Sequence, residues 1–285
     1  MSENDLITQL EKSGNYRVIK KLEPKNVYNE DDGSDKKIAI FLDVESTGND
    51  AERDEIIEIA MVKFEYNPQS GKIFRILEKF VELEEPKGEI SEKITEITRI
   101  TPEMVKGRKI NDDSALGFIE DTPIILAHNA SFDRKMTEKR FPFFKDKSWG
   151  CSMADVDWEE NGYFKQSLEL LAYYYGFFFD GHRATNDCLA SIHLLSKELV
   201  KSECLVLNNL LLNARKKLYR INALGNTYGA KDELKERSYK WNGKLWHIDL
   251  EKELVDPERK WLKDTYGFNS KVESVDAHNR YSNRV

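Results

Sequence analysis

Residues 38–48 read Ile38-Ala39-Ile40-Phe41-Leu42-Asp43-Val44-Glu45-Ser46-Thr47-Gly48. An apolar run of β-branched and aromatic residues predicts a buried strand over 38–44. It ends in two carboxylates, and the Ser-Thr-Gly after them predicts a turn. Strand side chains alternate with a period of two, so Asp43 and Glu45 point to one side. Two acids projecting together from a buried strand end are costly unless something neutralises them, and a divalent cation is the cheapest candidate. The plainer reading is chance, because 51 aspartates and glutamates in 285 residues make such triplets recur. The place of this one, at the end of an apolar strand, weighs against chance.

Outward from it, residues 56–64 predict a second strand, and 73–77 with 79–81 a third. Asn67-Pro68-Gln69-Ser70-Gly71 is turn chemistry, so these two form a hairpin and the sheet is mixed. A helical pattern over 90–106 is interrupted at Arg99-Ile100-Thr101-Pro102, where Thr101 can cap and Pro102 can open a helix. Residues 124–128 form another buried strand, followed by a helix over 134–140 with Ser131 as its cap. Helices over 167–175 and 184–199 flank the short apolar stretch 176–179. Alternating strands and helices make residues 36–212 an α/β domain. Residues 1–35 hold a short helix and an acidic linker.

Beyond residue 205 the character changes. A helix closes at Leu210-Leu211-Leu212, a strand covers 219–223, and a basic helix covers 231–237. Asn242-Gly243 joins two aromatic-rich segments, 238–241 and 244–248, as a hairpin. A helix over 257–266 completes a small β-α-β-β-α module at 213–285. Its Tyr239, Trp241 and Trp246 lie beside Arg237, Lys240 and Lys244. Such a face can bind nucleic acid, while a module this small also needs tryptophans as core.

Composition sets the bounds. A hydrophobic content of 40% with 11% aromatics is globular rather than disordered. The three cysteines Cys151, Cys188 and Cys204 are odd in number and lack CxxC spacing, which predicts reduced thiols in a cytoplasmic protein. No apolar run approaches the roughly 18 residues that cross a bilayer, so no membrane partner is expected. The formal charge of −7 is unusual for a nucleic-acid binder, yet two bound divalent ions would offset four of those charges.

Four acids then fall where an α/β sheet keeps its ligands, at strand ends and the helix starts beyond them. Asp43 and Glu45 end the first strand, Asp133 follows the strand at 124–128, and Asp187 opens the helix that His182 precedes. Singly, each has a structural explanation, such as a helix-dipole partner or a loop histidine. Together those explanations need four coincidences in the right order.

The segments 43–48, 127–133 (Ala-His-Asn-Ala-Ser-Phe-Asp) and 182–187 (His-Arg-Ala-Thr-Asn-Asp) resemble the three signature stretches of the DEDDh 3′–5′ exonucleases. This DnaQ-like group includes the epsilon subunit of bacterial DNA polymerase III and its stand-alone relatives. The histidine five residues before the last aspartate is similar to that of the histidine subclass. The resemblance implies a ribonuclease H-like mixed sheet flanked by helices, with a small α+β module appended. It implies a metal-dependent 3′–5′ exonuclease acting on single-stranded DNA ends and releasing nucleoside 5′-monophosphates. Two divalent ions, Mg²⁺ or Mn²⁺, would sit on Asp43, Glu45, Asp133 and Asp187, with His182 as general base. Substrate contacts carried over are Thr47, Asn129 and Phe132. Asn129 is equally a turn residue, and Phe132 reads more strongly as a core one. Where the family commonly has Leu-Thr-Gly-Ile-Thr, this chain has Ile97-Thr98-Arg99-Ile100-Thr101, so Arg99 either adds a phosphate contact or disturbs that loop. RNA as substrate, and a catalytically silent nucleic-acid-binding regulator, stand as the alternatives. No protein partner is predicted.

Overall fold

In the computed structural model, which describes residues 2–285, the apolar run opening at Lys37 forms the middle of a five-stranded sheet. The strands in chain order are β1 (Lys20–Lys21), β2 (Lys37–Ser46), β3 (Ile56–Tyr66), β4 (Ile73–Leu83), β5 (Ile124–Ala127), β6 (Ser148–Cys151) and β7 (Phe177–Phe178). The main sheet has the order β4-β3-β2-β5-β6. β2 pairs antiparallel with β3 and parallel with β5. The mixed sheet expected from the sequence is therefore present. β1 and β7 form a separate parallel pair at the edge of the domain.

β2 is longer than residues 38–44. Pairing with β3 continues through Glu45↔Glu58, and a bulge between Glu45 and Ser46 ends the regular register. Both acids thus lie on pleated backbone rather than in the turn beyond it. β4 is one continuous strand, as expected; Glu78 pairs with Lys63, and bulges leave Leu77 and Phe74 as extra residues on β4 opposite the steps Lys63/Phe64 and Glu65/Tyr66 of β3. The 67–71 turn is built as expected: the Asn67 Oδ1 accepts from the backbone N–H groups of Gln69 and Ser70. Gly71 has φ +72°, and a Cβ there would lie 2.4 Å from the Asn208 nitrogen, so only glycine fits.

Period-two alternation divides the sheet's two faces. Ala39 and Phe41 pack with Ala60, Val62 and the helices Ala184–Leu195, Leu168–Tyr174 and Val206–Arg215. Ile40, Leu42 and Val44 pack with Met61 and the helices Asp112–Ile119 and Ala130–Arg140. Asp43 and Glu45 belong by parity with Ala39 and Phe41, facing the helix that carries Asp187. The sequence reading omits helix Asp112–Ile119 and strand β6. The helix is short and the strand has one glycine in four residues, so neither offers a clear period.

Two caps differ from expectation. Helix Ala130–Arg140 begins four residues early with Asn129 at its cap, and Ser131 donates to the Asn129 side chain instead of capping. Thr101 stands at the cap of helix Pro102–Val105, but its side chain makes no capping bond. The preceding helix Glu92–Thr98 ends at Arg99 in the left-handed region (φ 59°), the conformation in which glycine is usual.

The C-terminal unit has four antiparallel strands, β8 (Leu218–Leu224), β9 (Lys240–Trp241), β10 (Trp246–Leu250) and β11 (Asn269–Val275), in the order β11-β8-β10-β9. The last strand extends the expected β-α-β-β-α pattern by one element; its polar sequence hides it. Helix Lys252–Tyr266 starts five residues before Pro257, which it tolerates inside. Tyr239 and Trp241 do not share a face. Ser238 at φ 68° breaks the strand, so Tyr239 enters the core at 3% exposure while Trp241 stays 52% exposed.

Residues 276–285 return to the first domain. Buried Arg280 donates to the Asp155 carboxylate at 2.7 Å, and buried Arg134 donates to the carbonyls of Ala277, His278 and Arg280. Arg134 also pairs with Glu138 at 2.7 Å. Since Arg134 follows Asp133, this segment braces the helix that carries that acid.

Candidate active site

Three elements converge at the end of β2. The strand supplies Asp43 and Glu45, the start of helix Ala184–Leu195 supplies Asp187, and the start of helix Ala130–Arg140 supplies Asp133. One carboxylate oxygen from each of Asp43, Glu45 and Asp187 lies within 4.8 Å of the others. Asp133 is 3% exposed and accepts the Val44 backbone N–H at 3.2 Å, which fixes it beside the same strand end. Four acids distant in sequence are thereby gathered in one place.

Their electrostatics is unfavourable as it stands. Burial, then the neighbouring Asp133, Asp187 and Glu45, hold the Asp43 carboxyl well above the usual carboxylate range. Glu45 is pushed up to about 8, first by burial and then by Asp187 and Glu58. Burial also raises Asp133, against the lowering effect of the Val44 N–H. It raises Asp187, against the Arg183 N–H and the nearby His182. Arg183, whose charge counters part of this on Glu45, is committed to Glu58. An oxygen-only donor set, crowded and short of positive charge, suits a hard divalent cation.

His182 is exposed and held at φ 61°, a conformation strained for a non-glycine residue. The backbone on either side is anchored. Asn186 donates to the Asp180 carbonyl at 2.8 Å, Lys21 pairs with the Asp180 carboxylate at 2.6 Å, and the Arg183 N–H donates to Asp187 at 3.0 Å. The imidazole therefore stands at the rim, close enough to Asp187 to bias its charge.

Glu58 and Arg183 are absent from the sequence reading. Glu58 is 1% exposed, sits opposite Glu45 in the β2–β3 register, and accepts from both the Arg183 guanidinium (2.7 Å) and the Ala184 N–H (3.0 Å). The pair ties the His182 loop to β3, beside the central strand. The available signal was a single charge inside the run Ile56-Ile57-Glu58-Ile59-Ala60, beside an arginine next to the candidate histidine. Beneath the acids, the Cys188 thiol donates to the Phe41 carbonyl at 3.4 Å, and burial followed by Asp43 keeps it protonated. It is a packing residue.

The expected substrate contacts are less uniform. The Thr47 hydroxyl donates to Asp54 at 2.9 Å and accepts the Glu55 N–H at 3.0 Å, closing the 47–55 loop. Asn129 is exposed and Phe132 half-buried, and both line an open cleft of about 970 Å³. Across that cleft stand Asn242 and Lys244 of the C-terminal hairpin. Arg99 is exposed and lowers the Asp180 carboxyl after Lys21, so it flanks the loop leading to His182.

With this geometry established, the likenesses to known proteins are informative. The model of the exonuclease family RNase_T matches residues 40–195, more than half of the chain. The PolC-type DNA polymerase III of Thermotoga maritima is 38% identical over 123 residues, 42% of this chain and 8% of that one. The match thus covers only 6–12% of the length of the PolC-type relatives. The DNA polymerase III epsilon subunit of Aquifex aeolicus is 30% identical over 167 residues, covering 56% of this chain and 79% of that protein. A solved structure of exonuclease I has a TM-score of 0.50 at 18% identity, over 82% of this chain and 68% of that one, and shares the ribonuclease H-like fold. Among the described residues no helix is long and apolar enough to cross a membrane. The resemblance to the DEDDh 3′–5′ exonucleases holds at the level of sequence family and fold alike: the chain belongs to the RNase_T family of exonucleases.

Proposed function

We propose that the chain is a metal-dependent 3′–5′ exonuclease that removes nucleoside 5′-monophosphates from the 3′ end of single-stranded DNA. The observation that carries this reading is the trio Asp43, Glu45 and Asp187, whose carboxylate oxygens lie within 4.8 Å of one another while the nearby Arg183 guanidinium is paired with Glu58. Asp43, Glu45 and Asp187 would hold one divalent ion, and Asp43 with Asp133 a second, Mg²⁺ or Mn²⁺ in each case. Bound there, such ions supply Lewis-acid stabilisation of the charge that develops on the attacking and leaving oxygens.

The chain's own residues do the rest. His182 takes the proton from the attacking water at an imidazole nitrogen while the water oxygen bonds to phosphorus. The bond from phosphorus to the 3′ oxygen of the penultimate nucleotide breaks, and the phosphate leaves on the 5′ oxygen of the released one. The Glu58–Arg183 pair keeps the His182 loop over the site. Asn129 and Phe132 orient the terminal nucleotide from the cleft wall, Arg99 approaches a phosphate, and the closed 47–55 loop, with Thr47, forms the opposite side. Residues 36–212 form the exonuclease domain and 213–285 an appended module whose last segment, 276–285, packs back on that domain, with 1–35 along the edge. The free thiols Cys151, Cys188 and Cys204 suit a reducing cytoplasm.

The test uses 5′-labelled single-stranded DNA and RNA of one sequence, with Mg²⁺, Mn²⁺ or EDTA. A ladder shortening from the 3′ end, faster on DNA and abolished by EDTA, is expected. Faster loss of RNA would make the chain an exoribonuclease, and full activity in EDTA would overturn the metal requirement.

A further inference from the structure

The C-terminal module carries an exposed aromatic and cationic pocket with no part in the site described above. It measures about 560 Å³ and opens between helix Lys231–Glu236 and the β9–β10 hairpin. Tyr228, Trp241 and Trp246 supply its aromatic walls, Lys231, Lys235 and Lys244 its charge, and no carboxylate lines it. In a chain of formal charge −7 that segregation needs a cause.

Folding alone does not supply one. Tyr228 is 80% exposed and Trp241 52% exposed, so neither ring serves the module's core, which Ile221, Leu234, Tyr239 and Leu262 fill instead. Trp241 and Trp246 lie with ring centroids 5.7 Å apart and planes tilted by 52°, leaving faces open. Lys231 stands 5.4 Å over Tyr228 and Lys235 6.0 Å over Trp246. The module's ion pairs use Arg220, Arg237, Arg259 and Lys271, so these three lysines keep their charge for a ligand. Arg237 and Tyr239, which the sequence places on this face, are not available. Arg237 pairs with Glu258 and stacks on Trp261, and Tyr239 is buried.

Open π-faces interleaved with free ammonium groups fit a chain of unpaired bases and phosphates. Position adds a second argument. Lys244 lines both this pocket and the 970 Å³ cleft that reaches Asn129 and Phe132 beside Asp133. Lys135 lines the same cleft, as do Asp50, Glu52 and Asp54, whose charges would repel phosphates and favour a path along the lysines. A single strand lying on Trp241 and Tyr228 can therefore pass Lys244 into the cleft that holds Lys135, Asn129 and Phe132, the last of these next to Asp133 in sequence.

We propose that this pocket is a second single-stranded-DNA subsite. It holds the strand several nucleotides upstream of the 3′ end by stacking bases on Tyr228 and Trp241 and pairing phosphates with Lys231, Lys235 and Lys244. The inference rests on the exonuclease reading for the direction of the strand, but not for the binding itself.

Fluorescence anisotropy of full-length protein in EDTA, with labelled dT4 and dT20, tests it. Wild type binds dT20 more tightly than dT4. In Tyr228→Ala/Trp241→Ala the dT20 affinity falls roughly 5- to 150-fold for each base that no longer stacks, and the advantage over dT4 collapses. In Lys231→Gln/Lys235→Gln/Lys244→Gln the salt dependence becomes shallower by about two, at roughly 0.7 per neutralised phosphate. Trp241→Phe keeps most of the binding, which separates stacking from general damage. Unchanged dT20 affinity in both multiple variants overturns the proposal and leaves the pocket as a protein-docking surface. Cleavage by wild type with Mg²⁺ or Mn²⁺ is scored separately. Length-dependent binding through these residues without cleavage would sink the exonuclease reading alone.

Discussion

Two buried charged clusters sit on either side of helix Ala130–Arg140, and their partners differ. One holds Asp43, Glu45, Asp133 and Asp187, acids that raise one another's pKa, while the nearby Arg183 is paired with Glu58. The other holds Arg134, Glu138, Asp155 and Arg280, where each carboxylate meets a guanidinium at 2.7 Å and the terminal guanidinium nitrogens also reach carbonyls, leaving only the buried Arg280 Nε without a partner among these groups. Asp133 and Arg134 are neighbours in sequence, yet each belongs to a different cluster. A buried charge satisfied from within serves architecture, because its desolvation is offset on folding. A buried charge left unsatisfied is tolerated where a ligand completes it, which is why the first cluster reads as a site and the second as a brace.

The sharpest way to break this contrast is Asp43→Asn. Hydrolysis should fall to background in the oligonucleotide assay, while the melting temperature in EDTA should rise because one source of repulsion is gone. A variant that still cleaves with metal, or that melts lower in EDTA, would remove the distinction. His182→Ala should slow single-turnover cleavage on the order of 10²–10⁴-fold, the usual reach of a general base. Metal-induced stabilisation should stay as in wild type; a wild-type rate across pH 6–9 would pass the proton to another group.

On the paired side, Arg280→Ala should cost about 3–5 kcal/mol in denaturant unfolding, since Asp155 is left buried beside Tyr281 without its cation. A loss below about 1 kcal/mol would mean that the second cluster is not the brace described.

The pH dependence sharpens the same comparison. The site acids have folded pKa values above their unfolded ones, with Glu45 near 8. In EDTA they therefore favour folding below about pH 4, and that contribution is lost as the pH rises through about 8. Thermal melts of wild type and Asp43→Asn should nearly coincide at pH 5 and separate in favour of the variant by pH 9. Mg²⁺ should reverse the order, because binding to the folded state alone stabilises it. The smallest effect expected is at Arg99→Gly, where relief of the left-handed backbone should add up to about 1 kcal/mol. A simultaneous rise in KM would show that the guanidinium also touches substrate.

Much of the site was legible because its chemistry is local in sequence. Alternation along β2 put Asp43 and Glu45 on one face, and helix spacing kept His182 and Asp187 at one helix start. Glu58 and Arg183 escaped notice because their meaning is a pairing across 125 residues, made only when β3 lies beside β2. The module shows the same limit. Tyr239 and Trp241 are two residues apart, and a period of two assigns them one face, but a left-handed Ser238 sends one into the core and leaves the other in solvent.

The sequence by itself determined the elements with strong local periods, the turn at 67–71, the hairpin at Asn242-Gly243 and the four acids with their histidine. Local sterics and side-chain chemistry decide such features before the chain is compact. Only the tertiary structure decided which charges are paired and which wait for a ligand, that segment 276–285 braces the Asp133 helix, and that Tyr228 joins Trp241 around three lysines. Those depend on residues far apart meeting at a few ångströms, where burial turns a charge or an aromatic face from an incidental feature into an energetic one.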